Sequence, residues 1–465
     1  MTTRRPSPGS PAGLVFALIV IALLMSERVL AEEGTWTTKA PMLTPRCCLA
    51  AGVVDGVLYV VGGLNAGLPF PHGELELDAY DARTNTWTTK GPMPTPRPFS
   101  AAAVADGLLY VVGGAAGFGS VEAYDPKTNT WSTKAPMPTP RESLSLVAAQ
   151  GRVYAIGGVG HTFGGTFLLA TVEAYDPKTD TWSTKAPMPT LRIDFAAEVL
   201  DGIIYVVGGQ RDFVTLETVE AYDPRTDTWT AKAPMPTPRR LLAAGVVDGE
   251  LYAVGGVVAG MPWESQGSSK VLEAYNPKFD AWRSEPSMPT RRSAMAAGVV
   301  DDTLYVMGGF SGEPNSLPIL DLNEAFSPFL SVSIDIKPGD PNNTINLNSR
   351  ATIQVAILSA AEFDALTVDP ASLTLAPPGA GQAGAHVVTT GRGTPITLLR
   401  DVDRDGRLDL VVHFRLEELQ LTPGDTEAVL RGATFSGQRI RGADSIRVLP
   451  ERPLGQNDAR GRQRR

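Results

Sequence analysis

WTTKGPMPTPRPFSAAAVADGLLYVVGG, residues 87–114, is one of six copies of a single phrase. Its Trp recurs at Trp36, Trp87, Trp131, Trp182, Trp229 and Trp282. An Arg stands 10 residues after each Trp, at Arg46, Arg97, Arg141, Arg192, Arg239 and Arg292. A Gly-Gly pair begins 26 residues after each Trp, at Gly62, Gly113, Gly157, Gly208, Gly255 and Gly308. Neither spacing varies. Tyr precedes the Trp by seven residues in five units, from Tyr80 to Tyr275, and Phe326 stands in its place in the sixth. All length variation therefore falls between the Gly-Gly and the Tyr, a gap of 11 to 20 residues. A fixed core with one elastic loop, at a period of 44 to 53 residues, is the mark of a repeat architecture.

Each unit reads as strands. Leu108-Leu-Tyr-Val-Val112 is an apolar run closed by glycines, the pattern of a buried strand. Asp106-Gly107 before it supplies a two-residue hairpin turn. The stretch after each Arg, such as Ser100–Val104 or Ala243–Val247, is rich in Ala and Gly, as strands converging on an axis require. Glu-Ala-Tyr-Asp and the Trp segment make the third and fourth strands, joined by Pro and Asp/Asn turn chemistry. Paired glycines, then Tyr, then Trp at this period resemble kelch repeats over residues 36–328. The resemblance implies an all-β six-bladed propeller of residues 32–328, with four strands per blade. The chain opens on a Trp strand that no earlier unit owns, and the sixth unit lacks its own. The N-terminal strand is therefore expected to complete blade six and close the ring, removing two sheet edges.

Residues 1–31 carry Arg4 and Arg5, an apolar run Leu14–Met25 and Val29-Leu30-Ala31, the layout of an export signal. Export, with no transmembrane helix in the mature chain, is the expectation; the alternative is an uncleaved anchor. The net charge of -9 argues against a nucleic-acid partner. The two cysteines, Cys47 and Cys48, are adjacent. Were both in one strand, their side chains would point to opposite faces, so a structural disulfide is not expected.

Elastic loops and the six Arg fall on one face, where binding lives on a rigid scaffold. Six Arg at one radius would form an anion-attracting mouth, and the resemblance implies acidic-peptide binding for some kelch adaptors. The competing reading makes Arg a structural cap of every blade. Unit four departs from the others by placing Glu198 where they carry Gly52, Ala103, Val147, Gly245 and Gly298. Strand alternation would set Arg192, Asp194 and Glu198 on one face. They are the candidates for a catalytic centre, or for a channel acid neutralised by Arg192. Copper chemistry is not expected, since the only ring histidines are His72 and His161, both in loops. The main expectation is a monomeric, non-catalytic module binding a protein or glycan at the loop face. The alternative is an enzyme like the sialic-acid epimerases, which are six-bladed kelch proteins.

Residues 331–449 change character to short strands between Gly/Pro turns, as in a β-sandwich. Their phrases resemble a recurrent module of exported bacterial proteins. Asp401, Asp403, Asp405, the Arg407 carbonyl and Asp409 hold positions 1, 3, 5, 7 and 9 of a loop with Gly406 at position 6, a spacing suited to Ca²⁺. Val412 at position 12 supplies no bidentate carboxylate. Residues 450–465 form a basic tail, read as disordered.

Overall fold

The computed structural model of the chain describes residues 34–65, 74–115, 117–162, 165–258, 267–312, 318–347, 349, 351–378 and 384–449. The expected signal peptide, the basic tail, and Phe70, His72, Phe163 and Trp263 lie outside them. Among the described residues no helix is long and apolar enough to cross a membrane.

The repeats fold into six four-stranded antiparallel sheets, none of which closes on itself. In unit one the order follows the chain: Ala50–Val54, Val57–Val61, Leu77–Asp81 and Thr86–Thr89. The first hairpin turns on Asp55-Gly56 with both φ positive, 50° and 76°, a type I′ turn whose twist matches the strands. Four further sheets repeat this plan. The sixth takes Ala296–Val300, Thr303–Met307 and Asn323–Ser327, and its fourth strand is Thr35–Thr38 from the start of the chain. Trp36 pairs with Phe326 just as Trp87 pairs with Tyr80.

Aromatic residues fasten each sheet to the next. Tyr rings of neighbouring sheets meet at 5.6 to 6.1 Å, as Tyr59 meets Tyr124 and Tyr80 meets Tyr305, while within each sheet the Trp ring lies 5.0 to 5.3 Å from its Tyr or Phe partner. The indole N–H of Trp87, Trp131, Trp182, Trp229 and Trp282 donates to Ala40, Gly91, Ala135, Ala186 and Ala233. Each acceptor lies four residues after the preceding unit's Trp. Trp36 continues the series by donating to Pro286 at 2.8 Å. Successive sheets approach closely at their inner strands: a Cβ on Gly52 would come within 2.6 Å of Leu109. Glycine there leaves room for the Leu109 side chain, at a position where other units carry Ala103, Val147 and Glu198; at Gly56 it is favoured by torsion.

Residues 330–449 form two larger sheets and one two-stranded parallel pair, Thr344–Asn346 with Arg447–Leu449, over one core. Leu330–Ser331, Arg439–Ser445, Glu427–Ala433, Thr374–Ala376 and Ala385–His386 make the first; Ile334–Ile336, Thr352–Ile357, Asp409–Arg415 and Thr397–Arg400 make the second. Ile336, Val355, Val412 and Phe414 meet Leu375, Leu430 and Ile440 in that core.

This C-terminal unit is seated on units five and six. Arg439 donates to Glu250 at 2.9 Å and to the Tyr252 hydroxyl at 2.7 Å, and its guanidinium lies 5.6 Å from the Phe329 ring centre. Arg431 grips Asp302, with its Nε at 3.0 Å, and Arg441 adds a contact at 3.5 Å. Three of the receptor acids, Glu250, Glu285 (3.8 Å from Arg439) and Asp302, stand where units five and six depart from the repeat. Glu285 replaces the Lys found three residues after the other five Trp, and Asp302 replaces the Gly of the Asp-Gly turn. Asp302 keeps the left-handed backbone, φ 59°, which costs a non-glycine residue about 1 kcal/mol. Its carboxylate in return anchors the second unit.

Candidate functional site

The six repeat arginines do not line an accessible mouth. Each is fully buried, with no exposed surface. Each pairs with the acid two residues before the Tyr position: Arg46 with Asp78 (2.5 Å), Arg97 with Glu122 (2.5 Å), Arg141 with Glu173 (3.0 Å), Arg192 with Glu220, Arg239 with Glu273 (2.8 Å) and Arg292 with Glu324 (2.7 Å). Further guanidinium donors reach backbone carbonyls, as Arg239 does to Gly255 (3.0 Å) and Val271 (2.8 Å), while Nε of Arg46, Arg97, Arg141 and Arg292 is buried without a partner. In five units the Thr two residues before the Arg donates to the same acid, for example Thr237 to Glu273 at 2.7 Å. In unit one the shorter Asp78 takes Thr89 instead. Burial holds the six guanidiniums below the ordinary arginine range, Arg141 and Arg239 down to about 10, while the paired acid works in the opposite direction. The expectation that these six Arg bind ligand gives way to the competing one: each cross-braces its own sheet.

Unit four is corrected too. Its inner strand begins only at Ala196, and Asp194 lies before it in the left-handed region, φ 57°, so alternation does not extend back to Arg192. Arg192 turns into its sheet toward Glu220. Asp194 instead accepts from Gln210 at 2.8 Å, with Arg240 at 3.9 Å; burial raises its pKa against the pull of those partners. Glu198 alone reaches the axial cavity. Burial pushes its carboxyl up to about 8, with the Val199 N–H pulling the other way. Three residues expected on one face thus serve three places, and no charged cluster converges around unit four.

The six units also share a collar of like-placed bends that composition does not disclose, five of its six links being backbone hydrogen bonds. The residue two after each Arg adopts a left-handed backbone: Cys48 (56°), Phe99 (60°), Ser143 (53°), Asp194 (57°), Leu241 (52°) and Ala294 (51°). Amides of these residues donate to carbonyls of the same position in the preceding unit: Phe99 to Cys48, Ser143 to Phe99, Leu241 to Asp194 and Ala294 to Leu241. Cys48 donates to Ala294 at 2.8 Å. The backbone is constant while six different side chains decorate it. Because Cys48 is bent rather than extended, its Sγ lies 3.5 Å from Cys47 Sγ; both are free thiols. That hydrogen bond and burial push the Cys48 thiol up.

Beside the collar, the loops of units three and four stand up as β-hairpins, Val159–Thr162 with Gly165–Leu168 and Gln210–Arg211 with Val214–Thr215. Between them is a cavity of about 340 Å³ lined by Val159, Phe167, Ile193, Gln210 and Phe213 among others. Phe213 is 97% exposed and has φ 66°, at the tip of its hairpin where glycine is favoured. His161 on the first hairpin contacts Glu142 at 3.1 Å and stacks on Phe118 at 4.3 Å.

In the C-terminal unit, carboxylate oxygens of Asp401, Asp403 and Asp405 lie within 4.8 Å of one another. Asp401 Oδ1 is buried without a hydrogen-bond partner while its Oδ2 accepts from Gly406, so this donor set fits a cation. Asp409 does not join it. It is fully buried and accepts from Ser359 (2.8 Å) and Val402 (2.7 Å), bracing the loop against the neighbouring strand.

Residues 29–158 and 123–256 match the KLHDC2/KLHL20/DRC7 kelch-repeats domain, and residues 238–289 match the kelch motif. Relatives include Kelch-like ECH-associated protein 1B of Danio rerio, 40% identical over 18% of this chain and 14% of that protein. Kelch-like protein 23 of Homo sapiens is 29% identical over 38% of this chain and 31% of that protein. The chain thus spans well under half the length of these relatives. The solved structure of YjhT is similar in fold, with TM-score 0.52 and 18% identity over 61% of this chain and 95% of that one.

Proposed function

Given kelch-repeat domains in this chain, we propose that the six sheets are the blades of a propeller closed by the N-terminal strand, and that its collar and raised hairpins bind a protein ligand. The closure reading rests on Trp36, which pairs with the last repeat strand and donates to Pro286. The binding reading rests on Phe213. A fully exposed phenyl at a left-handed turn position forgoes both burial and backbone ease, and the aromatic edge it offers is what a partner's apolar side chain would cover. Kelch relatives are consistent with an interaction module.

The ligand presents an apolar anchor to the cavity between the two hairpins and polar groups to Asp194, Ser143 and Cys48 on the collar. Residues 1–31 direct export, and the C-terminal unit holds Ca²⁺ through Asp401, Asp403, Asp405 and the Arg407 carbonyl. The ion would tie the loop to the strand that follows it, a structural task at extracellular calcium levels. A displayed-peptide selection against the intact chain tests the binding reading. Selected peptides should carry an aromatic or aliphatic anchor and lose at least tenfold in affinity for Phe213→Ser, whose melting temperature stays unchanged. Equal binding to wild type and Phe213→Ser would remove the hairpin site.

A further inference from the structure

The axial cavity, about 300 Å³, is lined by the inner strands of all six repeat units. Glu198 is the single polar side chain among the lining residues; the rest are Ala, Gly, Val and Leu. Neither neighbouring guanidinium serves it: Arg192 is committed to Glu220 and Arg240 faces Asp194. Each inner strand is the terminal strand of its sheet, so half of its backbone groups point toward the axis with no ladder partner. The cavity therefore offers one carboxyl, strand-edge main-chain carbonyls and N–H groups, and aliphatic walls.

We propose that the axial cavity binds a slender primary alkylammonium, its head held by the Glu198 carboxylate and its carbon chain lying along the axis. A primary ammonium brings three donors, one for Glu198 and two for strand-edge carbonyls. One carboxylate balances one positive charge. A divalent metal would need several more oxygen ligands of the right kind. A quaternary ammonium would look for an aromatic cage, and no aromatic side chain lines this cavity. Small residues at the wall leave width for methylene groups and little beyond.

Binding is linked to a proton. Burial keeps the empty-site carboxyl protonated up to about 8, so the cation displaces that proton near neutrality. Other titratable groups nearby are Tyr205, paired in register with Glu198 on the next strand, and Asp194 and Cys48 on the collar. The packed strand of unit five, Ala243–Val247, carries none.

The test is calorimetric titration of the full chain with n-pentylammonium chloride at pH 6.5, in two buffers of different ionisation heat. Wild type should bind and release close to one proton per ligand. Glu198→Gln, which should fold at least as well, should lose binding at least tenfold and release no proton. Ala51→Leu, which narrows the cavity without touching the acid, should weaken pentylammonium more than methylammonium. No binding to wild type, binding without proton release, or equal affinity in Glu198→Gln would each overturn the proposal.

Discussion

Replacing Glu273 by Ala tests whether the six arginines are braces. Glu273 Oε2 lies 2.8 Å from Arg239 Nη2, and both side chains are essentially inaccessible. Arg239 cannot swing to water, because it also satisfies the carbonyls of Gly255, Val271 and Ala253. The substitution leaves an unpaired buried cation, which costs about 3–5 kcal/mol. At about 2–4 °C per kcal/mol for a domain of this class, the melting temperature should fall by roughly 6–20 °C. The internal control is Asp176→Ala, which breaks a pair to Arg152 at 3.3 Å with both partners in reach of solvent; screened pairs of that kind contribute little. Differential scanning calorimetry on both variants decides the matter. A Glu273→Ala transition no lower than that of Asp176→Ala would refute the brace. So would loss of ligand binding with the transition unmoved, which would return the arginines to the site.

Two further predictions concern the departures from the repeat. Asp302→Gly combined with Glu250→Gln removes the acids that receive Arg431 and Arg439; chymotrypsin should then cleave after the now-buried Phe329 many times faster than in wild type, and an unchanged digestion would mean the acids do not hold the two units together. Glu198 should give a pH signature: the folded carboxyl keeps its proton up to about 8 while the unfolded chain releases it near 4.3, so the unfolded state binds fewer protons in between. Stability relative to Glu198→Gln should therefore fall from about pH 4.3 to pH 8 and level off above; because part of the side chain faces the cavity, the drop is expected to be at most a few kcal/mol. Parallel melting curves for the two proteins across that range would contradict it.

The repeat was legible because its signals are local. Trp, Gly-Gly and Tyr sit at fixed spacings, and each fixes a strand, a turn or a cross-strand pair. The arginines stay open between a ligand mouth and a structural cap in the sequence, because spacing gives a residue's place along the chain and not the direction of its side chain. A signal did exist: every Arg has an acid two residues before the Tyr position, Asp78 through Glu324, and a cation and an anion that recur together in all six units read as a pair. Asp194 leaves the face that alternation predicts because the strand starts only at Ala196, after a left-handed bend that nothing in its composition announces. Glu285 and Asp302 also break the pattern openly, yet Arg439 and Arg431, which meet them from the C-terminal unit, lie more than 100 residues away in a unit with no repeat to compare against. Phe213 gave no sign, since only the hairpin geometry makes an exposed Phe unusual.

The central claim, that the N-terminal strand is the fourth strand of the sixth blade, is tested most directly by a disulfide. Thr37 and Ala325 are cross-strand partners in that sheet. In a background lacking Cys47 and Cys48, Thr37→Cys with Ala325→Cys should oxidise to completion within one molecule, migrate faster on a non-reducing gel, and melt at a higher temperature than its reduced form. Two titratable thiols that stay unlinked under oxidising conditions in the folded protein would contradict it.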